Sequence, residues 1–361
     1  MSEFHMRIGN QEIGLNHPPY IIAEIGVNHD GEVNRALELT DAAAEAGADA
    51  IKLQFFETDR LMSKAAKLAA YQKTAGETDP IEMLRRLELT IDEMATVVEH
   101  AHSKGIHAIV TVFSTELVPI AETLPWDAYK TASPDIVNKP LLEALMATGK
   151  PMIVSTGAST WEEVNQATQW LDSIRRTKLA FLQCVSSYPA PDSAIDMMRS
   201  VFEASSCWIG YSDHTLSTDT GREAVLIGAE ILEKHFTYDQ AAQGPDHRAS
   251  LTPSLLAEYV SKLPEIVESG AIDISIEPRK RVLDCEQDVR LVARQSVVTT
   301  CDIPAGAIIT RDMLTIKRPG TGILACNIEA VIGCTTSQPI EADVPINESD
   351  LVQFESPFAI K

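Results

Sequence analysis

Eight apolar runs of strand length recur along the first two thirds of the chain. They span Tyr20–Gly26, Ala50–Phe56, Ala108–Phe113, Ala128–Ser133, Met152–Gly157, Lys178–Val185, Trp208–Ser212 and Ile231–Thr237. Nearly continuous apolar runs indicate strands buried on both faces, as in a parallel sheet covered by helices. The intervening stretch Val33–Ala46 is alanine-rich and ends at Gly47, and Trp161–Ile174 follows hydroxyl side chains that can cap a helix. Eight βα units over about 265 residues predict a closed (β/α)8 TIM barrel.

Two segments depart from this repeat. Near the N-terminus, Gly9-Asn10 separates the short runs Met6–Ile8 and Gln11–Ile13, which predicts a β-hairpin. The connection Thr58–Glu88, between the second and third strands, is much longer than a simple βα loop. Insertions of this length often cover an active site, and we expect that role here.

The pattern changes beyond about Val267. Ser275–Asp288 is charged and irregular, which is typical of a linker, and from Val289 we predict short strands broken by Pro and Gly. Asp302-Ile303-Pro304 has a counterpart in Asp343-Val344-Pro345, which indicates either a duplicated β domain or a chance similarity of turns. We therefore predict a barrel domain at 1–270, a linker at 271–290 and a small β-rich domain at 291–361.

The carboxyl ends of the predicted strands carry many polar side chains, and this rim is where TIM barrels place their chemistry. The rim residues are Glu24, Lys52, Gln54, Thr111, Lys130, Ser133, Ser155, Ser186, Ser212, Asp213, His214 and His235. The two lysines, together with the hydroxyls of Thr111, Ser155 and Ser212, predict a site for an anion that carries phosphate and carboxylate groups. The alternative is that Lys52 and Lys130 pair with carboxylates and only hold strands together.

His214 and His235 end adjacent strands and form a candidate metal pair, although a lone histidine there would more often be a hydrogen-bonded core residue. Water and substrate oxygens would complete the shell, as in an open catalytic site. Such an oxygen-rich shell favours Mn²⁺ or Mg²⁺, with Co²⁺ also compatible. Glu24 is either the structural partner of Lys52 or an acid, base or water-orienting group beside the metal.

Charge and composition exclude several classes of function. The chain of 361 residues has 30 basic and 52 acidic side chains, a net charge of −22. This charge argues against nucleic acid or an anionic membrane as the main partner. No apolar run approaches the ~20 residues that span a bilayer. The six cysteines form no C-x-x-C motif, so neither a zinc ribbon nor a disulfide framework is indicated, and we expect a cytoplasmic protein.

Several runs of this sequence resemble the sialic acid synthase family. They are Glu24-Ile25-Gly26-Val27-Asn28-His29-Asp30-Gly31, Ile51-Lys52-Leu53-Gln54, Ser155-Thr156-Gly157, Gly210-Tyr211-Ser212-Asp213-His214-Thr215, Glu233-Lys234-His235-Phe236-Thr237, Gly244-Pro245-Asp246-His247, Val292-Ala293-Arg294-Gln295-Ser296 and Lys317-Arg318-Pro319-Gly320. The family contains N-acetylneuraminate, legionaminate and pseudaminate synthases and spore-coat polysaccharide relatives. The resemblance covers nearly the whole chain.

The resemblance implies a transferase that condenses phosphoenolpyruvate with an N-acylated hexose to a nine-carbon 2-keto acid and phosphate. The acceptor would be N-acetylmannosamine or a diacetylated 6-deoxy analogue. It also implies that the C-terminal part is an antifreeze-like (SAF) domain. In the family this domain reaches over the active site of a partner subunit, so we expect a domain-swapped homodimer.

The resemblance also implies a role for each site residue. Phosphoenolpyruvate would be held by Lys52, Thr111, Lys130, Ser133, Ser155, Ser186 and Ser212. His214 and His235 would ligate the divalent ion, and Glu24 would act near the attacking water. The sugar would be contacted by Gln54, Asp135, Tyr188, Asp246 and, at its acyl group, Arg318 from the SAF domain.

The chain departs from the family pattern at four places. Thr111-Val112-Phe113 stands where Thr-Pro-Phe is common, and Ser186 replaces a frequent asparagine. Ala132-Ser133-Pro134-Asp135 lies where Gly-Ser-Gly-Glu is common, and Asp239-Gln240 lacks the arginine that usually follows the last strand. The anion-binding positions survive these changes, so the reaction type is still expected. The sugar contacts are less well preserved, and the identity of the sugar stays open.

Three alternative functions remain compatible with the residues. A Schiff-base aldolase would use Lys130 or Lys52 as the nucleophile on a pyruvate-type substrate, with the histidines as acid–base groups. A pseudaminate or spore-coat polysaccharide synthase is the alternative within the family. A non-enzymatic protein would bind carbohydrate or ice through its SAF-like domain, but the polar barrel rim argues against this function.

Overall fold

The computed structural model describes residues 6–174, 177–191, 193–268 and 279–358. It begins with an antiparallel hairpin, β1 (Met6–Ile8) and β2 (Gln11–Ile13), at the predicted positions. Met6, Ile8 and Ile13 are fully buried among the interior residues at the amino ends of the barrel strands. The hairpin therefore closes the end of the barrel opposite the predicted site.

Eight parallel strands form a closed barrel, which confirms the predicted fold class. They are β3 (Tyr20–Gly26), β4 (Ala50–Phe55), β5 (His107–Val112), β6 (Ala128–Thr131), β7 (Met152–Ser155), β8 (Leu179–Cys184), β9 (Trp208–Asp213) and β10 (Ile231–His235). Each lies within one or two residues of a predicted strand, and β10 pairs with β3 to close the ring. The strands carry long apolar runs because most of their side chains pack inside the ring or against the surrounding helices.

The helices of the barrel part lie mainly between its strands. They are α1 (Val33–Glu45), α2 (Thr58–Leu61), α3 (Ala70–Thr74), α4 (Pro80–Arg85), α5 (Ile91–Ser103), α6 (Val118–Ala121), α7 (Lys139–Ala147), α8 (Trp161–Trp170), α9 (Met198–Ser205), α10 (Thr220–Leu226) and α11 (Pro253–Ser261). Thr160 caps α8 in a capping box with Glu163, as its position before the helix predicts. This helix ends at Trp170, and a 3-10 turn at Asp172–Ile174 completes the predicted stretch.

The strand register brings the polar rim residues together. Glu24 is paired with Lys52 on one side and with His235 on the other, and Thr111 is paired with Lys130. Because side chains alternate along a strand, residues at matching register point into the barrel at the same level. The register thus gathers these rim residues at the carboxyl end of the barrel.

The C-terminal part folds around its own apolar core. It contains α12 (Gln287–Ala293), α13 (Ile328–Val331) and the antiparallel strands β11 (Ser296–Thr299) and β12 (Leu314–Lys317). The core residues are Val297, Ile303, Ile309, Leu314, Ile323, Ile328, Val331, Ile340, Ile346 and Leu351. The two similar segments, which begin at Asp302 and Asp343, are each followed by a 3-10 turn, at Arg311–Met313 and Glu348–Asp350.

The segment that joins the two parts differs from the expectation. Residues 271–278 of the predicted linker lie outside the described residues, and Val289 lies in α12 rather than in a strand. Val289 and Val292 line a cavity at the barrel mouth, and this packing overrides the low helix propensity of β-branched residues. No disulfide joins the six cysteines, all of which lie within the described residues, and no helix of these ranges is long and apolar enough to cross a membrane.

Candidate active site

One cavity opens at the carboxyl rim, and fourteen of the fifteen predicted site residues line it. They are Glu24, Lys52, Gln54, Thr111, Lys130, Ser133, Ser155, Ser186, Tyr188, Ser212, His214, His235, Asp246 and Arg318. The exception is Asp135, which is buried behind the wall. The structure thus assembles the predicted site, while the role of each residue remains a prediction.

The two lysines lie at the deep end of the cavity and are almost completely buried. Lys52 Nζ lies 2.5 Å from Glu24 Oε2 and donates to Thr111 Oγ1 at 3.1 Å. Lys130 Nζ donates to Ser155 Oγ and to the Thr131 carbonyl, both at 3.0 Å. Lys52 therefore has a carboxylate partner, as expected if the lysines only hold strands together. Both lysines also contact hydroxyl groups of the cavity wall.

Glu233 is a site residue that the sequence analysis missed. Its carboxylate lies 3.3 Å from Lys130 Nζ and 4.0 Å from Lys52 Nζ, and it accepts a hydrogen bond from Ser212 Oγ at 3.0 Å. A signal was present, because Glu233 precedes His235 by two positions on one strand and so faces the same side. The deep end therefore contains two lysines balanced by two carboxylates.

Burial and neighbouring charges shift the pKa values of the ionisable groups in the cavity, often in opposite directions. Burial alone would raise the pKa of Glu233, but Lys130 and Lys52 outweigh it and lower the pKa to about 2. Burial lowers the pKa of Lys130, against the opposing effect of Glu233. Burial, with a contribution from Glu24, raises the pKa of Asp246 to about 6. Such perturbed groups, gathered in one cavity, are typical of a functional site.

The two histidines lie side by side, with ring centroids 5.2 Å apart. His214 Nδ1 donates to the Val185 carbonyl at 2.7 Å, which leaves the lone pair of Nε2 free to face Ser212, 3.4 Å away. His235 Nδ1 is buried and has no hydrogen-bond partner, and Asp246 Oδ2 lies 3.7 Å from it. Burial lowers the pKa of His235 well below its ordinary value, and the charge of His214 adds a smaller effect in the same direction.

These nitrogens fit a divalent metal ion. A histidine ligand usually donates its second ring nitrogen to a carbonyl or carboxylate, and Nδ1 of His214 is bonded in this way to the Val185 carbonyl. An orphaned buried nitrogen, as in His235, is otherwise costly. Within the described residues no group of three or more His, Cys, Asp and Glu side chains is arranged to hold a metal. Two protein ligands fit the open site expected from the sequence.

Small residues and hydroxyls form the wall beside Lys130. The backbone N–H of Gly157 donates to Ser133 Oγ at 3.0 Å. A side chain at Gly157 would collide with the hydroxyls of Ser186 and Ser133, so glycine is required for this close approach. The hydroxyl of Ser186 is buried without a partner and faces the cavity, so it is free to donate to a ligand.

Aromatic side chains cover the histidines. The Tyr188 ring lies 4.3 Å from that of His214 and 4.8 Å from that of Tyr71, measured between centroids. Tyr71 belongs to α3, within the insertion Thr58–Glu88. Met62, Met83 and other residues of the same insertion also line the cavity, which is the covering position that the sequence predicts.

Arg318 of the C-terminal part reaches the outer end of the cavity of its own chain. Its guanidinium lies 5.4 Å from the Phe113 ring, and its carbonyl accepts hydrogen bonds from the backbone and hydroxyl of Ser63. Behind it, Asp135 Oδ1 accepts from Gln295 Nε2 at 3.0 Å. Burial raises the pKa of Asp135 to about 7. The predicted cover contains Tyr71, but no spacing singled it out, and Gln295 reaches Asp135 across 160 residues of chain.

This cavity, with its buried lysines, carboxylates and histidine pair, opens at the carboxyl rim of a closed parallel barrel. The combination defines the protein as a TIM-barrel enzyme. Residues 39–271 match the NeuB family, and residues 294–352 match the SAF domain. The N,N'-diacetyllegionaminic acid synthase of Campylobacter jejuni is 34% identical to this chain, over 91% of this chain and 98% of its own length.

Two solved structures are similar over most of the chain. The spore coat polysaccharide biosynthesis protein SpsE of Bacillus subtilis has a TM-score of 0.81 and 28% identity, over 97% of this chain and 100% of that one. The N-acetylneuraminic acid (sialic acid) synthetase of Leptospira borgpetersenii, solved with citrate, has a TM-score of 0.64 and 30% identity, over 79% of this chain and 94% of that one. The chain belongs to the NeuB family of sialic acid synthases and is a synthase with a C-terminal SAF domain.

Proposed function

We propose that the enzyme condenses phosphoenolpyruvate with an N-acylated hexose to give a nine-carbon 2-keto acid and phosphate. The observation that carries this proposal is the deep end of the cavity, where Lys52 and Lys130 meet the hydroxyls of Thr111 and Ser155. Ammonium and hydroxyl donors together bind phosphate and carboxylate groups, and phosphoenolpyruvate carries both. The unpartnered hydroxyl of Ser186 adds a further donor on the same wall.

The charge balance of the site supports the use of a divalent ion. The two lysines are already balanced by Glu24 and Glu233. A substrate with a carboxylate and a phosphate, about three negative charges at neutral pH, therefore needs additional positive charge. An ion held by His214 and His235 would supply it, and Mn²⁺ is the ion that we expect, with Mg²⁺ or Co²⁺ as alternatives.

The bound ion would polarise the aldehyde of the open-chain sugar as a Lewis acid. C3 of the enol attacks the aldehyde carbon, the aldehyde oxygen takes up a proton, and positive charge develops at C2 of phosphoenolpyruvate. Glu24, next to Gln54 and Lys52, is placed to accept a proton from the water that adds at C2. The tetrahedral product of this addition loses phosphate by cleavage of the C2–O bond, and the lysines stabilise the phosphate throughout.

The outer end of the cavity is suited to an acylated sugar. Its walls are largely apolar, and they include Met62, Met83, Leu84 and Phe113 beside Arg318. Methyl groups of acetamido substituents, or of a 6-deoxy sugar, would pack on these walls, and the guanidinium of Arg318 would bind an acyl oxygen. N-acetylmannosamine and its diacetylated 6-deoxy analogue are therefore the acceptors that we propose.

A substrate screen tests the proposal. The enzyme is incubated with phosphoenolpyruvate, Mn²⁺ and either N-acetylmannosamine, the diacetylated 6-deoxy analogue or the altrose-type analogue, and phosphate and keto acid are measured. We expect equal amounts of both products with one of the first two sugars. Turnover with the altrose-type analogue alone would instead favour pseudaminate synthesis, and no turnover with any sugar would contradict the proposal.

The lowered pKa of Lys130 is the one observation that favours a Schiff-base aldolase, because such enzymes need a neutral amine. Borohydride reduction in the presence of pyruvate distinguishes the two reactions. A synthase leaves the protein unlabelled and loses its activity with a chelator. An aldolase is labelled at a lysine and tolerates the chelator.

The domain-swapped homodimer also remains a proposal. In the structure Arg318 lines the cavity of its own barrel, whereas the family resemblance implies an exchange between subunits. Mixing the variants Arg318→Ala and His214→Ala tests the exchange. At a sugar concentration well below the KM of the Arg318→Ala variant, the mixture should be more active than the two separate variants together only if the SAF domain of one chain serves the barrel of another. No gain on mixing, with mixed dimers shown to form, would mean that each chain completes its own site.

A further inference from the structure

The segment that connects the barrel to the SAF domain is anchored on the phosphate end of the cavity. Residues 280–294 lie across the loops that follow β7 and β8. Lys280 Nζ donates to the Gln183 side chain at 2.9 Å and to the Cys184 carbonyl at 3.2 Å, and its own carbonyl accepts from Trp161 N. The connection is therefore part of the wall around the site.

Glu286 makes the central contacts of this segment. It is completely buried, immediately before α12. Its Oε1 accepts hydrogen bonds from the backbone N–H of Ala158 at 2.6 Å and of Ser186 at 2.7 Å, and its Oε2 accepts from Leu283 N at 2.8 Å. One carboxylate thus joins the loop after β7, the loop after β8 and the interdomain segment.

The loop after β7 is held in an unusual conformation at this point. Ala158 has a φ of 50°, in the left-handed region that a non-glycine residue rarely adopts. Its N–H is bound by Glu286, and its carbonyl accepts from Arg290 and Arg294, both of which pair with the buried Glu163 of α8. Both backbone polar groups of Ala158 are therefore fixed by the interdomain segment, which over-determines the strained backbone.

The two loops that Glu286 joins carry hydroxyls of the phosphate end. Ser155 and Gly157 precede Ala158, and Ser186 is itself one of the bound residues. The hydroxyls of Ser133 and Ser186 already approach Gly157 as closely as a glycine permits, so small shifts of either loop would change the positions of the donors. Binding of an anion is sensitive to such shifts.

We propose that Glu286 is a positioning residue, which holds the loops after β7 and β8 in the geometry that binds the phosphate of phosphoenolpyruvate. The inference rests on the proposed function and deepens it. Docking of the interdomain segment and affinity for phosphoenolpyruvate are then coupled, because one carboxylate serves both. Glu286 does not line the cavity and touches no substrate, so its effect passes through the backbone that it holds.

The test compares the full-length variants Glu286→Ala and Glu286→Gln with the parent enzyme. Glutamine can keep one oxygen on the two loop amides but cannot accept from Leu283 N, so it should rescue part of the effect. The matched control is Glu162→Gln, which changes a nearby carboxylate that pairs with Arg279 on the surface. The dissociation constant for phosphoenolpyruvate is measured by calorimetry, together with the KM values of both substrates and the thermal midpoint.

We expect Glu286→Ala to weaken phosphoenolpyruvate binding about tenfold or more, with Glu286→Gln intermediate and Glu162→Gln unchanged. The KM for the sugar should stay within about twofold of the parent value. If the parent binds phosphoenolpyruvate and both Glu286 variants bind it equally well, the inference is wrong while the proposed function stands. It is also wrong if the KM values of both substrates rise in parallel. If the parent does not bind phosphoenolpyruvate, the proposed function fails and the inference falls with it.

Discussion

Replacing Glu233 with glutamine tests the charge arrangement at the deep end of the cavity. The residue is 3% exposed, and its carboxylate lies between Lys52 and Lys130. Its pKa of about 2, in place of an ordinary 4.5, corresponds to roughly 3 kcal/mol of stability at about 1.4 kcal/mol per pKa unit. We therefore expect Glu233→Gln to lower the free energy of unfolding at pH 7 by about 3 kcal/mol.

The stability difference between the parent and Glu233→Gln should depend on pH in a defined direction. A carboxylate with a lowered pKa stabilises the folded state above its unfolded pKa of 4.5, and this contribution is lost as the pH falls towards 2. The difference between the parent and Glu233→Gln should thus be constant from pH 7 to about pH 5.5 and shrink below about pH 4.5. Urea unfolding followed by tryptophan fluorescence measures it, because all four tryptophans lie in the barrel, namely Trp126, Trp161, Trp170 and Trp208.

Glu230 provides the matched control. It immediately precedes the strand that contains Glu233 and is also buried, but its carboxylate accepts only from the backbone N–H of Ile209, at 3.1 Å. Burial raises its pKa to about 7. Its ionisation therefore opposes folding as the pH rises from 4.5 to 7, so Glu230→Gln should gain stability relative to the parent over this range. Equal stability of Glu233→Gln and the parent at pH 7, or the same pH trend in both variants, would refute the reasoning.

Three further predictions concern the reaction. His214→Ala and His235→Ala should each abolish phosphate release while the thermal midpoint shows a folded protein, and unaltered turnover in both would reject the metal site. Arg318→Ala should raise the KM for the sugar and spare the affinity for phosphoenolpyruvate, and an equal loss for both ligands would count against its place at the acyl group. Tyr71→Ala should also raise the KM for the sugar, by about tenfold, because the ring that packs on Tyr188 closes the outer cavity. An unchanged KM would show that the insertion does not cover the bound sugar.

The barrel could be predicted because its physical causes are local. Strands buried on both faces leave apolar runs, and the hairpin turn at Gly9-Asn10 has Gly9 in the left-handed backbone conformation that glycine favours. The strand ends then identify the rim, since parallel strands bring their carboxyl ends to one side. Glu233 was also within reach of this reasoning, because its spacing from His235 places both on the same face.

Other features of the site depend on contacts that the sequence does not signal. Tyr71 lies in a short helix of the insertion, and Glu286 binds Ala158 across 128 residues of chain. Val289 has the β-branched side chain of a strand residue, yet packing at the barrel mouth places it in a helix. Asp135 was expected to contact the sugar, but the structure places it behind the cavity wall, with Gln295 as its partner.

The fate of one oxygen atom tests the central claim most directly. Phosphoenolpyruvate labelled with ¹⁸O at the oxygen that bridges C2 and phosphorus is supplied with the accepted sugar and Mn²⁺, and both products are analysed by mass spectrometry. Cleavage of the C2–O bond after addition of water predicts that the label appears entirely in the released phosphate. Label retained in the nine-carbon keto acid would show that the phosphorus–oxygen bond breaks instead, and would contradict the proposed reaction.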